Sequence, residues 1–316
     1  MILPTLKDFD FKGKKVLVRC DFDGGRLEEN LPTIKYLLNR RAKKVILISH
    51  LGRPAGKIVE ELRIALVEKR FRQLLDSEKI VFWENIRFDK REENNDEGFA
   101  KELASLGDFY VNEAFAVSHR EHVSIVGIPK FLPHCAGLHF ASEVESLSKV
   151  LENPKKPVVF VIGGAKPETK LPLVADFAKI ADWILVGGTL VQKSNIKDQN
   201  LNQNLKTILF ADLTEDGFDI DEESIKKFVD IIKSAGTVVW NGPMGRYEGK
   251  EGEEGTRRVG EAVANATAFK VVGGGDTIAA LTKFGLLDKM DYVSTGGGAM
   301  LEFLAKGNLP GIEVLY

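Results

Sequence analysis

The sequence has few cysteines and no long apolar run, and both shortages exclude classes of protein. Its two cysteines, Cys20 and Cys135, have no metal-ligand spacing, so we expect free, buried thiols rather than a disulfide or a zinc site. No apolar run approaches the roughly 18 residues of a membrane span. The first ten residues lack the basic and apolar blocks of a signal peptide. We therefore expect a cytoplasmic protein that does not contact a membrane.

The sequence also lacks net charge and two common phosphate-binding motifs. Its 44 Lys and Arg residues nearly balance its 46 Asp and Glu residues, which leaves a net charge of -2. This gives no bulk electrostatic reason to bind nucleic acid, so any anion site must be local. No G-x-x-x-x-G-K-[ST] stretch occurs, and no G-x-G-x-x-G opens the first helix. These absences argue against a P-loop protein and a dinucleotide-binding protein.

Short apolar runs alternate with amphipathic helical stretches, a pattern typical of βα units on a parallel sheet. The predicted strands are 15–19, 44–49, 79–83 and 108–112 in the first half, and 157–162, 182–186, 207–210, 237–241, 269–272 and 291–294 in the second. A helical pattern at 141–152 precedes Pro154 and Pro157, which predict a break before the next strand. We therefore predict an α/β fold with two doubly wound, parallel-sheet, Rossmann-like domains, 1–145 and 146–305, joined by this helix.

Glycines follow nearly every predicted strand of the second half. These positions are Gly163-Gly164, Gly187-Gly188, Gly242, Gly273-Gly274-Gly275 and Gly296-Gly297-Gly298. Glycine lets the backbone approach a phosphate, and the following helix offers unpaired N–H groups. Because ligands bind at the carboxyl ends of parallel strands, these loops together predict a nucleotide-phosphate site. Lys166 and Lys170 would add positive charge, and Asp276 is suited to a phosphate-bound magnesium ion.

The strand ends of the first half carry arginines instead. They are Arg19, Arg53, Arg87 and Arg120, in the segments 19–23, 49–54, 84–88 and 112–120. The planar guanidinium group can donate two parallel hydrogen bonds to the oxygens of a carboxylate or a phosphate. Any single arginine could equally be a surface residue paired with a glutamate. Their shared position predicts a pocket for a small phosphorylated acid.

Nine motifs that occur in order along the chain resemble those of phosphoglycerate kinases. They are V-L-V-R-x-D-F at 16–22, L-P-T-I-K-Y-L-L at 31–38, S-H-L-G-R-P at 49–54, E-N-I-R-F at 84–88, G-G-A-K at 163–166, W-N-G-P-M-G at 240–245, G-G-G-D-T at 273–277, S-T-G-G-G-A at 294–299 and L-P-G at 309–311. The resemblance covers nearly the whole chain. It implies a glycolytic kinase of the transferase class that moves a phosphoryl group reversibly between 1,3-bisphosphoglycerate and ADP.

The resemblance also implies the site residues. The 3-phosphoglycerate site would comprise Asp21, Asp23, Arg26, His50, Arg53, Arg87 and Arg120. ATP or ADP would contact Gly163, Gly164, Gly187, Gly217 and Phe218 at the adenine, Glu248 at the ribose, and Lys166, Lys170, Asn241, Gly273, Gly274, Gly275 and Thr277 at the phosphates, with Mg²⁺ on Asp276. Arg26, Lys170 and the N–H groups of Gly274 and Gly297 would stabilise the transferred group.

The resemblance further implies a monomer that closes by hinge bending at the helix 141–152. The tail 306–316 would return to the first domain. The only expected partners are small-molecule substrates.

This chain departs from the family pattern at several points, which leaves other functions open. Segments near 23–26, 57–79 and 190–219 are contracted, and the last of these walls the adenine pocket in the family. Asp23, Thr169 and Thr189 replace residues expected to be Asn, Asp and Gly. One alternative is a phosphoglycerate-binding or scaffold protein that has lost nucleotide binding. Another is a kinase of a different small carboxylic acid. The retained Lys166, Lys170, Asp276 and Glu248 favour an active kinase.

Overall fold

The computed structural model describes residues 3–191 and 208–316, which divide into two compact units. One unit runs to Glu145 and also includes Asn308–Tyr316, and the other comprises Ser146–Gly307. The segment Asn308–Tyr316 packs on the first unit, where the backbone N–H of Gly311 donates to the carbonyl of Ser118 at 2.9 Å. Val314 contacts a small apolar cluster around Ile125 in the same unit.

The first unit is a parallel sheet with helices between its strands. Its elements are β1 (Lys15–Arg19), α1 (Leu31–Asn39), β2 (Lys44–Ile48), α2 (Ile64–Leu74), β3 (Ile80–Phe82), α3 (Lys90–Glu93), α4 (Glu97–Ala104), β4 (Phe109–Asn112) and β5 (His134–Ala136). Helix α5 (Leu138–Glu152) begins in this unit and ends in the second. The strand order is β3-β2-β1-β4-β5, with every pair parallel. Its core contains the rings of Phe22, Phe71 and Phe82, in which the Phe71 and Phe82 centroids lie 5.4 Å apart.

The second unit has the same architecture. Its elements are β6 (Val158–Ile162), α6 (Pro167–Phe177), β7 (Trp183–Val186), β8 (Ile208–Phe210), α7 (Glu222–Lys233), β9 (Thr237–Asn241), α8 (Glu254–Asn265), β10 (Phe269–Gly273), α9 (Gly275–Lys283), β11 (Tyr292–Ser294) and α10 (Gly297–Lys306). The short helix α11 (Pro310–Glu313) belongs to the first unit. The described strands are parallel in the order β11-β10-β9-β6-β7-β8. The central strands β6 and β9 are buried along their whole length, as the apolar runs predicted.

The predicted fold class, two parallel-sheet α/β domains, is confirmed. The role of α5 as a hinge helix stays a prediction. The predicted strand 207–210 includes Thr207, which lies outside the described residues, as does much of the contracted span 190–219. Strand β5 was not predicted, because His134–Ala136 is short and carries no apolar run.

Candidate functional site

Three of the four arginines predicted from the first-half strand ends, Arg53, Arg87 and Arg120, converge on one pocket, whereas Arg19 is buried and does not line it. This pocket is lined by Asp21, Asp23, Arg26, His50, Arg53, Arg87, Ala116, Val117, His119 and Arg120. All seven residues of the predicted phosphoglycerate site are therefore brought together. His119 and the apolar pair Ala116 and Val117 were not predicted to line it.

A tight turn after β1 brings Arg26 into this pocket. Gly24 and Gly25 both have positive φ, at 70° and 82°, a conformation that glycine adopts without strain. The turn lets the Arg26 guanidinium pair with the Asp21 carboxylate at 2.7 Å. The Asn30 side chain donates to the carbonyl of Arg26 at 2.7 Å and thereby fixes the end of the turn. The contracted loop thus still delivers the predicted arginine.

Asp23, the predicted departure from the family pattern, has partners in this pocket. Its Oδ1 accepts the backbone N–H of Gly52 at 3.0 Å, and its Oδ2 lies 3.9 Å from Nε2 of His50. The Asp23 carboxylate therefore links the turn after β1 to the loop after β2. The pocket that contains Asp23 and Asp21 is also lined by several arginines, whose positive charges offset the repulsion between the two carboxylates.

The remaining cations make the pocket strongly attractive to anions. Arg87 is only 4% exposed, and burial together with neighbouring Arg19 lowers its pKa to about 10, so it remains charged at neutral pH. Its Nη1 donates to the carbonyl of Gly52 at 2.7 Å, which fixes the guanidinium. The Nε of Arg120 is buried and has no hydrogen-bond partner within the described part of the chain. A ligand with several anionic oxygens would satisfy these donors.

The glycine loops of the second unit surround a separate cavity of about 170 Å³. Its walls are Gly164, Ala165, Gly188, Thr189, Leu213, Gly217, Phe218, Pro243, Met244, Gly245, Arg246, Tyr247, Glu248 and Asp276. Gly163 and Gly187 lie just behind this wall, because a Cβ on either would meet Met244 at 2.5 to 2.7 Å. Thr189, another of the departures from the family pattern, donates from Oγ1 to the carbonyl of Gly164 at 3.0 Å.

Sequence reasoning missed several walls of this cavity, among them Leu213, Arg246 and Tyr247. The Arg246 guanidinium stacks over the Phe218 ring, 4.1 Å from its centroid. The only available signal was that residues 246–247 follow the W-N-G-P-M-G motif directly. Leu213 lies in the contracted span, where no motif marked it.

Lys170 is held at the strand ends of this unit. Its Nζ donates to the carbonyl of Gly163 at 2.7 Å and lies 3.4 Å from the carbonyl of Asn241. Burial lowers the pKa of Lys170 to about 8, although the nearby Asp276 carboxylate acts in the opposite direction. Lys170 is thus a partly desolvated cation that interacts strongly with any phosphate oxygen that reaches it. Lys166 lies at the N-cap of α6, with a left-handed φ of 75°.

Two more glycine loops meet at the starts of α9 and α10. The Thr277 hydroxyl accepts the backbone N–H of Gly242 at 2.6 Å, which joins the loop after β9 to α9. Asn241 donates from Nδ2 to the carbonyl of Gly297 at 3.3 Å. Gly274 has a φ of 95° and precedes α9, whose first turn contains Asp276. The resulting cluster combines helix N-termini, glycine backbone and one carboxylate, and it can hold phosphate groups with a divalent cation.

One unit thus carries an arginine-rich anion pocket, and the other carries glycine loops suited to nucleotide phosphates. Both lie on parallel α/β sheets, and these features together define a phosphotransferase.

Comparisons with known proteins agree. The model of the phosphoglycerate kinase family matches residues 6–80, 74–205 and 189–307. A phosphoglycerate kinase from Roseiflexus castenholzii is 37% identical over 100% of this chain and 99% of the relative. One from Dictyoglomus turgidum is 37% identical over 98% and 97%. The solved phosphoglycerate kinase from Coxiella burnetii has a TM-score of 0.86 at 32% identity, covering 99% of both chains. The chain belongs to the phosphoglycerate kinase family.

The predicted resemblance and enzyme class are thereby confirmed, and the family uses ATP or ADP with magnesium. The alignment with the Roseiflexus relative spans 393 positions, whereas this chain has 316 residues, so the relative contains segments that this chain lacks. No helix in the described ranges is both long and apolar enough to cross a membrane. The individual ligand contacts of the site residues stay predictions.

Proposed function

We propose that this protein transfers a phosphoryl group reversibly between 1,3-bisphosphoglycerate and ADP, and that the reaction requires magnesium. The observation that carries the proposal is that seven predicted phosphoglycerate ligands line one pocket. Its arginines match a carboxylate and a phosphate in one small molecule. The contacts of Asp23 with Gly52 and His50 support the proposal, because they give this departing residue partners within the pocket.

The nucleotide is proposed to bind in the cavity of the second unit. The base would lie among Gly164, Gly217 and Phe218, the ribose near Glu248, and the phosphates at the start of α9. The alternative, a binder that has lost nucleotide affinity, is disfavoured because this cavity persists beside the contracted span.

Magnesium fits this second site as a partner of nucleotide phosphates. Within the described ranges no three His, Cys, Asp or Glu side chains cluster closely enough to hold a metal by themselves. Mg²⁺ typically binds through one or two carboxylates together with substrate phosphates, and Asp276 supplies one carboxylate. When bound, the ion would neutralise charge on the phosphate oxygens.

The residues would catalyse transfer by alignment and charge stabilisation. Phosphoryl transfer passes through a loose, metaphosphate-like transition state, so the protein needs mainly to hold donor and acceptor in line. Lys170, Arg26 and the N–H groups of Gly274 and Gly297 would contact the equatorial oxygens. Because the two ligands are assigned to different units, we propose hinge closure at α5, which would also exclude water from the acyl phosphate.

Separate ligand binding to a single variant tests this assignment. Lys170→Ala should nearly abolish turnover, because a cation in contact with the transferring group is lost, yet it should leave phosphoglycerate affinity unchanged. Lys179→Ala is the matched control, since Lys179 is an exposed lysine of the same unit that pairs with Asp176. Calorimetry with phosphoglycerate and steady-state assays measure the two quantities. A loss of phosphoglycerate binding in Lys170→Ala would contradict the assignment.

A further inference from the structure

Arg19 is a buried cation behind the phosphoglycerate pocket that the proposed reaction does not use. It is the last residue of β1 and only 1% exposed. Strand β1 pairs with β2 in parallel register, Arg19 opposite Ile48, and His50 follows β2 by two residues. The pairing therefore places the Arg19 side chain beside the His50 ring. His50 is itself 2% exposed and lines the pocket.

The Arg19 guanidinium is fixed by contacts on each of its nitrogens. Nη2 lies 3.0 Å from Nδ1 of His50, Nε donates to Oγ of Ser124 at 2.8 Å, and Nη1 donates to the carbonyl of Cys20. Ser124 is fixed in turn by the buried Glu92, which accepts its hydroxyl at 2.6 Å and its backbone N–H at 2.9 Å. Glu92 also supplies a negative charge near the guanidinium. Arg19 therefore cannot turn away from His50 without breaking several buried hydrogen bonds.

This contact determines which nitrogen of His50 carries the proton. A guanidinium group has only donors, and it remains protonated in proteins. The hydrogen bond at 3.0 Å therefore requires a lone pair on Nδ1. In a neutral imidazole the single proton must then be on Nε2. Nε2 is the nitrogen near Asp23, another residue that lines the pocket.

We propose that Arg19 is a positioning residue that holds His50 as the neutral Nε2–H tautomer, so that His50 meets its ligand as an uncharged hydrogen-bond donor. The identity of that ligand as phosphoglycerate rests on the proposed function. The state of the ring does not. In this arrangement the charge that attracts the anion comes from arginines, while His50 contributes a directed hydrogen bond.

The groups that face His50 support a neutral ring. Burial lowers its pKa well below the usual value, and nearby positive charges lower it further. These charges are Arg19 on β1, Arg87 after β3 and Arg120 after β4. His122, also after β4, lies nearby but is uncharged at neutral pH, because burial and the same arginines lower its pKa to about 4. The Asp23 carboxylate opposes them, but its side chain is 44% exposed and lies 3.9 Å from the ring. Water therefore screens this carboxylate, whereas Arg19 is buried in direct contact with the ring.

Nitrogen-15 NMR of the histidine rings tests the proposal on the protein without any ligand. From about pH 5.5 to about pH 8, the His50 ring should show an unprotonated Nδ1 and a protonated Nε2, with no titration. His50→Gln identifies its signals among the five histidines. A protonated Nδ1, or a titration near the unperturbed value of about 6.5, would overturn the proposal.

Substitution of Arg19 tests the cause. In Arg19→Met, Nδ1 no longer accepts a guanidinium N–H, so the neutral His50 ring should show a measurable share of the Nδ1–H tautomer. The pKa of His50 should also rise, because one of the charges that lower it is lost. Arg53→Met is the matched control, because Arg53 lines the same pocket but is not among the cations acting on His50. Should Arg19→Met not fold because Glu92 is left unpaired, the double variant Arg19→Met, Glu92→Gln removes that buried charge as well. An unchanged His50 in a folded Arg19 variant would refute the positioning role.

Ligand affinity gives a second readout that separates this role from simple damage. The ratio of variant to wild-type dissociation constants for 3-phosphoglycerate cancels the titration of the ligand itself. For Arg19→Met this ratio should fall over any pH range in which NMR shows His50 gaining a proton, because the ring then carries a charge that attracts the anion. A ratio that stays constant while His50 gains its proton would contradict the proposal. Failure of phosphoglycerate to bind the wild-type protein would instead contradict the proposed function, while leaving the NMR result valid.

Discussion

Gly297 can be tested by the smallest possible substitution, Gly297→Ala. A Cβ on Gly297 would lie 2.5 Å from Cα and 2.6 Å from the nitrogen of Gly274, which are backbone atoms that cannot rotate away. The loop of Gly274 must therefore shift, and with it the start of α9 and Asp276. Overpacking of this kind destabilises proteins by about 1–3 kcal/mol. We expect a similar loss in the free energy of unfolding, together with weaker ATP binding.

The neighbouring residue provides a matched control. Gly298 follows Gly297 in α10, and a Cβ there would meet nothing within 4 Å. Because alanine favours a helix over glycine by up to about 1 kcal/mol, Gly298→Ala should be neutral or stabilising. Denaturant unfolding gives the stability of both variants, and calorimetry gives their affinities for ATP and phosphoglycerate. Equal stability and equal ATP affinity in the two variants would refute the close approach of these loops.

Three further predictions follow from single side chains. Because the pKa of Lys170 is near 8, its charge is present below this pH and lost above it, and turnover should fall as pH rises through about 8. A pH–rate profile that is flat to about pH 9.5 would contradict the role of this charge. Asp221 is the N-cap of α7 and accepts the backbone N–H of Ser224 at 2.8 Å, so Asp221→Ala should lower the free energy of unfolding by about 1 kcal/mol. Asp230→Ala on the same helix should leave the free energy of unfolding nearly unchanged. Both buried thiols have raised pKa values, so a thiol reagent should modify them only after denaturation, and rapid labelling of the native protein would show that they are accessible.

The sequence predicted the fold and the site composition because both depend on local patterns. Buried parallel strands appear as apolar runs, and loops at their carboxyl ends carry the ligand-binding residues, so Arg87 and Asp276 could be found without coordinates.

What the sequence could not predict depends on contacts between distant segments. Helix α5 begins at Leu138, earlier than the pattern at 141–152 indicated, because Glu113 from the end of β4 accepts the N–H groups of His139 and Phe140 at 3.1 Å. The role of Arg19 was likewise hidden, because Ser124 and Glu92 lie far from it in sequence.

A coupled steady-state assay with 3-phosphoglycerate, magnesium and ATP tests the central claim most directly. The same assay with GTP and CTP would show whether the contracted wall still selects the base. The account predicts magnesium-dependent turnover with ATP that Lys170→Ala nearly abolishes and Lys179→Ala retains. Phosphoglycerate binding without nucleotide binding or turnover would contradict it and would indicate a binding protein instead.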